Sequence, residues 1–197
     1  MRKIVFALAA VMVFSSAQSA LALDNVDSFK LNADVVKPYD MTCKEFMAAD
    51  KNMQLFVSAW YDGDSTTTAM DRVEYAREDV LDMQKHLIQG CEEEPKSTLE
   101  ALQFNYGDDN ANYKRARCNL LTKMSDVNEA VMYLGWSVGY LADERDDYTV
   151  NIKEFYDMSK KVFEVCQNDS RANLVQLVLS NMEGKPAFDL PDKNIDN

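Results

Sequence analysis

The sequence predicts an all-α protein built of two tandem small helical repeats, each closed by one internal disulfide. Two observations predict it. The four cysteines stand at Cys43, Cys91, Cys118 and Cys166, so an interval of 48 residues occurs twice and the unit containing it recurs with a period of 75. Apolar residues recur at three- and four-residue intervals through both units, whereas period-two alternation bounded by Gly or Pro is scarce.

The offset of 75 sets Asp82-Met83-Gln84-Lys85 over Asp157-Met158-Ser159-Lys160, Leu99 over Leu174, Leu102 over Leu177 and Lys96 over Arg171. A one-residue shift between the cysteines brings Trp60 onto Trp136 and Gly63 onto Gly139. Four cysteines allow three pairings. A duplicated unit duplicates its own staple, so the equal spacing favours Cys43 with Cys91 and Cys118 with Cys166. Closing a loop of about 49 residues is worth about 4 kcal/mol in the chain-entropy model, a large share of what so small a unit can have.

Ahead of the repeats, Arg2 and Lys3 precede an apolar run from Ile4 to Phe14, and Ala20-Leu21-Ala22 follows with the small residues of a cleavage site. Residues 1–22 therefore read as a signal peptide cleaved after Ala22, which implies export to an oxidising compartment. Its apolar run is too short to span a bilayer, and no later stretch is long and uncharged enough to do so, so no membrane insertion is expected and the mature protein is expected to be soluble.

The first repeat is assigned to residues 39–104. Thr42 with Glu45 forms a capping box at its head, and Phe46, Met47, Leu55, Phe56 and Trp60 then recur at helical intervals. A second helix is expected from about Ala69 to Gln89, striped by Val73, Tyr75, Ala76, Val80, Met83, Leu87 and Ile88 and ended by Gly90 or the acids after the cysteine. Pro95, then Ser97 with Glu100 as another capping box, opens a short third helix carrying Leu99 and Leu102. The second repeat, 113–183, repeats this order in helices from Asp126 to Ala142, Val150 to Val165 and Arg171 to Met182, with Gly184 as the stop. Residues 23–38, the linker 105–112 and the tail 184–197 are polar or proline-bearing and are expected to be flexible.

Thr42-Cys43-Lys44-Glu45-Phe46, with Asp50 four residues on, resembles the opening of the HdeA/HdeB family of small periplasmic proteins. The 48-residue gap to the second cysteine is similar to that family's single disulfide. The second repeat departs from the pattern, with Asn119-Leu120-Leu121 at the acidic and phenylalanine positions, yet Gly135-Trp136-Ser137-Val138-Gly139-Tyr140-Leu141-Ala142 resembles a turn of the same family. The resemblance covers most of the mature chain as two copies of a unit that usually occurs once. It implies an acid-stress chaperone of the holdase kind, which binds unfolding or acid-destabilised proteins through apolar surface exposed at low pH. Leu55, Phe56, Trp60, Val131, Leu134 and Trp136 are the candidates for that surface or for an interface between repeats, paired within one chain or between two. The duller reading of the same residues is ordinary core.

Charge agrees with such a role and excludes others. Loss of Arg2 and Lys3 with the leader leaves 19 basic against 33 acidic side chains, a net charge of minus 14 that repels phosphate backbones, so no nucleic-acid partner is expected. Protonating every carboxylate carries the mature chain to about plus 21, counting the 19 Lys and Arg with His86 and the amino terminus. The single histidine, His86, has Lys161 as its counterpart in the second repeat and leaves any acid response to carboxylates. Glu92-Glu93-Glu94, Asp143-Glu144-Arg145-Asp146-Asp147 and the scattered methionines read as solvated loops and gap fillers. Neither a catalytic triad nor a zinc site nor a cofactor loop can be assembled, since the cysteines are committed and no second histidine exists, so an enzyme, a metal and a cofactor are not expected. The competing reading is a non-chaperone exported module that binds one specific protein on the same scaffold.

Overall fold

The computed structural model describes residues 29–66, 72–102, 111–124, 126–142 and 149–183. The expected signal peptide, the acidic run 143–147, most of the linker and the tail 184–197 lie outside the described residues. In chain order the elements are β1 (Val35–Val36), α1 (Cys43–Ala48), α2 (Lys51–Asp64), β2 (Glu74–Tyr75), α3 (Arg77–Glu93), β3 (Lys114–Arg115), α4 (Cys118–Leu121), α5 (Val127–Tyr140), β4 (Val150–Asn151), α6 (Ile152–Asn168) and α7 (Leu174–Glu183). The fold is mostly helical, with one disulfide in each half: Cys43 to Cys91 and Cys118 to Cys166.

The period of 75 is visible in the backbone. Cys43 N–H donates to the Ser97 carbonyl at 2.9 Å, and Cys118 N–H donates to the Ala172 carbonyl at 3.0 Å. Leu99 N–H donates to Met41 O at 2.9 Å, and Leu174 N–H to Ala116 O at 3.1 Å. Each half thus ties the residues before its first cysteine to the start of its third segment, and the bridges Thr42–Thr98 and Arg117–Asn173 mark the same place. The disulfide then fastens the start of the half's first helix to the end of its longest one.

Local chemistry explains where the halves differ. Thr42 Oγ1 accepts from Glu45 N–H at 3.2 Å while Glu45 returns a carboxylate to Thr42 N–H at 2.9 Å, completing the capping box that starts α1. Those hydrogen bonds, the backbone one first, hold the Glu45 carboxyl below the usual carboxylate range. A lowered pKa contributes stability above the unfolded value and loses it as pH falls through the folded one. A Glu45→Gln chain does not titrate there, so the gap between its urea midpoint and the parent's is expected to be widest near neutral pH and to close in acid. Arg117 stands where Thr42 stands and offers no side-chain cap, and α4 is only four residues long. Asp50, whose carboxylate accepts from Met53 N–H at 2.9 Å, ends the first turn run and starts α2.

Three expectations are corrected. The helix expected from Ala69 begins at Arg77, because Val73 O accepts from Ala116 N–H at 3.0 Å and β2 pairs antiparallel with β3. The backbone of 73–75 is committed to a partner some forty residues away, which local periodicity does not register. The third helix of the first repeat is replaced by turns over residues 95–102: Ser97 Oγ donates to Glu94 at 3.0 Å and Ala101 N–H donates to Thr98 Oγ1 at 3.3 Å. Its counterpart α7 buries Val175 and Val178, where the first repeat has Glu100 and Gln103. Residues 29–38 are packed rather than loose, with Phe29, Leu31 and Val36 buried and β1 paired to β4.

The two short sheets are reciprocal. The segment leading into the first repeat pairs with the strand between α5 and α6, and the segment leading into the second pairs with the strand between α2 and α3. Each half therefore lends a strand to the other. At the centre, α2 and α5 are buried on every side from Leu55 to Gly63 and from Ala130 to Tyr140, the pattern of core helices, with α3, α6 and α7 packed around them.

Candidate functional site

The seam between the halves is where α2 and α5 meet, the most extensive helix contact in the molecule. Its closeness is a matter of two glycines. A Cβ on Gly63 would lie 2.0 Å from the Trp136 carbonyl oxygen and 2.8 Å from Tyr140 N; a Cβ on Gly139 would lie 1.9 Å from the Trp60 carbonyl oxygen. Backbone meets backbone at both points, so only a residue without a side chain fits. The relation is mutual: the Trp-x-x-Gly of one half receives the Trp carbonyl of the other. This is the arrangement of a twofold dimer interface, made within one chain.

Aromatic rings line the seam on either side of this notch. Tyr75 of β2 reaches Tyr133 and Trp136 of α5, with ring centroids 4.5 and 5.5 Å apart. Phe56 of α2 meets Phe155 of α6 edge to face at 5.1 Å, and its ring lies 3.0 Å from the place a Gly135 Cβ would take. Trp60 packs edge-on against Tyr39 at 4.9 Å and Tyr61 at 5.2 Å. Such pairs add about 0.5–1.5 kcal/mol each to the burial of their area.

Each of the six residues singled out from the sequence is buried: Phe56, Trp60, Val131, Leu134 and Trp136 at 1% exposure or less, and Leu55 at 7%. Phe56, Trp60 and Trp136 stand directly across the seam through the contacts above. Sequence reasoning aligned Gly63 with Gly139 without giving them a role, and it passed over Tyr133 and Phe155. The signal was present as Trp-x-x-Gly in both halves, yet what each glycine admits is the Trp carbonyl of the other half.

Polar groups at the seam are few and buried. Ser58 and Ser137, both fully buried, donate to the carbonyls of Gln54 at 2.7 Å and Tyr133 at 2.9 Å on their own helices. The phenols of Tyr75 and Tyr133 are pushed well above their ordinary value, first by burial. The neighbouring carboxylates of Glu129 and Asp62 push Tyr75 further, and Arg77 opposes them. The Tyr75 hydroxyl has no hydrogen-bond partner among the described residues. An unsatisfied buried hydroxyl costs stability, so Tyr75→Phe is expected to raise the unfolding free energy by about 1 kcal/mol, read as a higher urea midpoint at unchanged slope.

His86 is half-exposed on α3, with Nδ1 3.1 Å from the Asp82 carbonyl oxygen. Among the described residues no group of three or more His, Cys, Asp or Glu is placed to hold a metal ion, and no helix is long and apolar enough to cross a membrane. The disulfides fit an oxidising compartment.

No curated protein and no solved structure matches the chain. A family model described as the HdeA/HdeB family matches it twice, over residues 5–101 and 105–176. Those two matches divide the sequence where the fold divides, into two halves that face each other across a dimer-like seam; the chain belongs to the HdeA/HdeB family and carries the family's unit twice.

Proposed function

We propose that this protein is an exported holdase of acid stress, binding unfolding proteins through apolar surface that low pH uncovers. The observation that supports it is the seam: apolar and aromatic faces of both halves are turned inward against each other and all six candidate residues are buried. Protonation removes up to 33 negative charges and leaves the basic ones, so the mature chain moves from minus 14 toward plus 21 and the two halves come under net repulsion. Leu55, Phe56, Trp60, Val131, Leu134 and Trp136 are then the client-binding surface, with acid-destabilised proteins of the same compartment, the periplasm, as partners.

The test is aggregation of several unrelated client proteins at about pH 2.5 and at pH 7, scored with binding of an apolar dye. Protection and dye binding confined to acid are expected. A chain that stays compact in acid and protects nothing overturns the proposal.

The duplication adds a feature that separate subunits lack. Two halves joined by a short linker see each other at about a millimolar-scale effective concentration, which dilution cannot change. The midpoint of the acid transition, followed by tryptophan fluorescence, is therefore expected to stay constant over about a hundred-fold range of protein concentration. A midpoint that rises on dilution would place the decisive contact between chains instead.

A further inference from the structure

Residues 29–36 cross from the first half to lie on the second, and the way they are held is that of a bound peptide. Phe29 and Leu31 are buried at 1% and 6% exposure, whereas Lys30 and Asn32 between and beyond them are exposed, the two-residue alternation of an extended strand. The second half also grips the backbone. The Tyr156 hydroxyl accepts from Leu31 N–H at 2.9 Å and donates to the Phe29 carbonyl. Ile152 N–H donates to Asp34 O at 3.0 Å, and β1 continues the pairing with Val35 opposite Asn151 and Val36 opposite Val150. Backbone pairing to a strand edge with seats for alternate side chains is how folded proteins take up extended peptides without demanding one sequence.

The reciprocal arm is different. Lys114 and Arg115 of β3 are both exposed, so the segment lent to the first half brings no apolar anchors at its strand. It also runs between two described elements, β2's partner strand leading straight into α4 through the buried Ala116. Only the seat on β4 and α6 combines a backbone grip with two apolar positions.

We propose that this seat is a binding site for extended, alternately apolar segments of unfolded chains, held in the resting protein by the chain's own residues 29–36. Tyr156 is its positioning residue, orienting the ligand backbone by one donated and one accepted hydrogen bond. The class of ligand rests on the client-binding reading above, but the site is separate from the α2–α5 seam and is freed by release of one arm. Because the arm is tethered, a free peptide meets it as a competitor at high effective concentration and is largely excluded.

The experiment uses the mature chain at neutral pH and a fluorescent peptide with the sequence of residues 27–36. A protein carrying Phe29→Ser and Leu31→Ser loosens its own arm and is expected to bind this peptide at least about ten-fold more tightly than the parent does. A peptide with serine at both anchor positions should not bind, and adding Tyr156→Phe should weaken binding about five-fold. A loosened protein with the parent's circular dichroism that binds no better than the parent, or that takes the serine peptide equally well, overturns the site. Should the double variant not fold, Tyr156→Phe alone decides: the Ile152 amide, bonded to the arm, should exchange at least about five-fold faster while that of Leu134 is unchanged, and an unchanged Ile152 rate overturns the site. Since neither measurement uses acid, loss of acid-stage protection would refute the holdase reading and leave this result standing, and the reverse also holds.

Discussion

Replacing Gly139 by alanine is expected to lower the unfolding midpoint by about 10 °C and to make the protein bind an apolar dye at neutral pH. The added methyl would sit 1.9 Å from the Trp60 carbonyl oxygen and 2.8 Å from the Trp60 Cα. Overpacking ordinarily costs about 1–3 kcal/mol because a neighbouring side chain turns aside. Here the neighbour is helix backbone, so relief requires α2 and α5 to separate, and we expect the upper end of that range or beyond, which for a chain of this size is about 10 °C. Gly63→Ala, 2.0 Å from the Trp136 carbonyl, should behave alike. Gly90→Ala is the control: its methyl meets only the Leu102 Cδ1 at 2.9 Å, the free end of a flexible side chain, and gains helix propensity of up to about 1 kcal/mol. Thermal unfolding of the three variants separates the cases. If Gly139→Ala melts with the parent and stays dark to the dye, the halves do not meet as the seam requires; if it is destabilised and also protects clients without acid, the seam is the gate.

The same glycines show what a sequence can and cannot disclose. The spacing of Cys43, Cys91, Cys118 and Cys166 carried both staples, because a repeat repeats its covalent bonds, and the three-to-four periodicity around Phe56, Trp60, Leu134 and Trp136 carried the core helices. These are local or duplicated signals. What escaped is what depends on a distant partner. Val73 to Tyr75 have the apolar period of a helix, but their backbone groups are taken by Lys114 to Ala116. Phe29 and Leu31 stand in a polar stretch that looks unable to bury anything, yet Tyr156, more than a hundred residues on, supplies both of their backbone bonds. The first repeat's third helix failed for a more local reason: with Glu100 and Gln103 where Val175 and Val178 stand, only Leu99 and Leu102 are left to bury, and the capping residue alone does not hold a turn of helix together.

Removing either disulfide is expected to cost about 4 kcal/mol, and the consequence should be greatest after acid exposure rather than before it. Each bond closes a separation of 48 residues and joins the start of a half's first helix to the end of its longest helix, with Cα atoms 5.0 and 4.9 Å apart. At neutral pH the seam, the reciprocal strands and the backbone bonds of Cys43 and Cys118 support the same contacts, so a Cys43→Ser, Cys91→Ser chain is expected to fold but to melt about 10 °C lower. If acid opens the seam as proposed, those supports go together, and the covalent loop is what remains to limit how far a half expands. The second half depends on it more, because α4 is only four residues long and uncapped, and its place is set by Cys118 and the bond to Ala172. Recovery of circular dichroism and of solubility after a return from about pH 2.5 to neutral is the measurement. The parent should recover fully, the Cys43, Cys91 variant in part, and the Cys118, Cys166 variant least. Equal recovery by all three would mean that the halves reassemble without their staples, and that helix packing across the seam, not covalent closure, preserves the route back to the folded state.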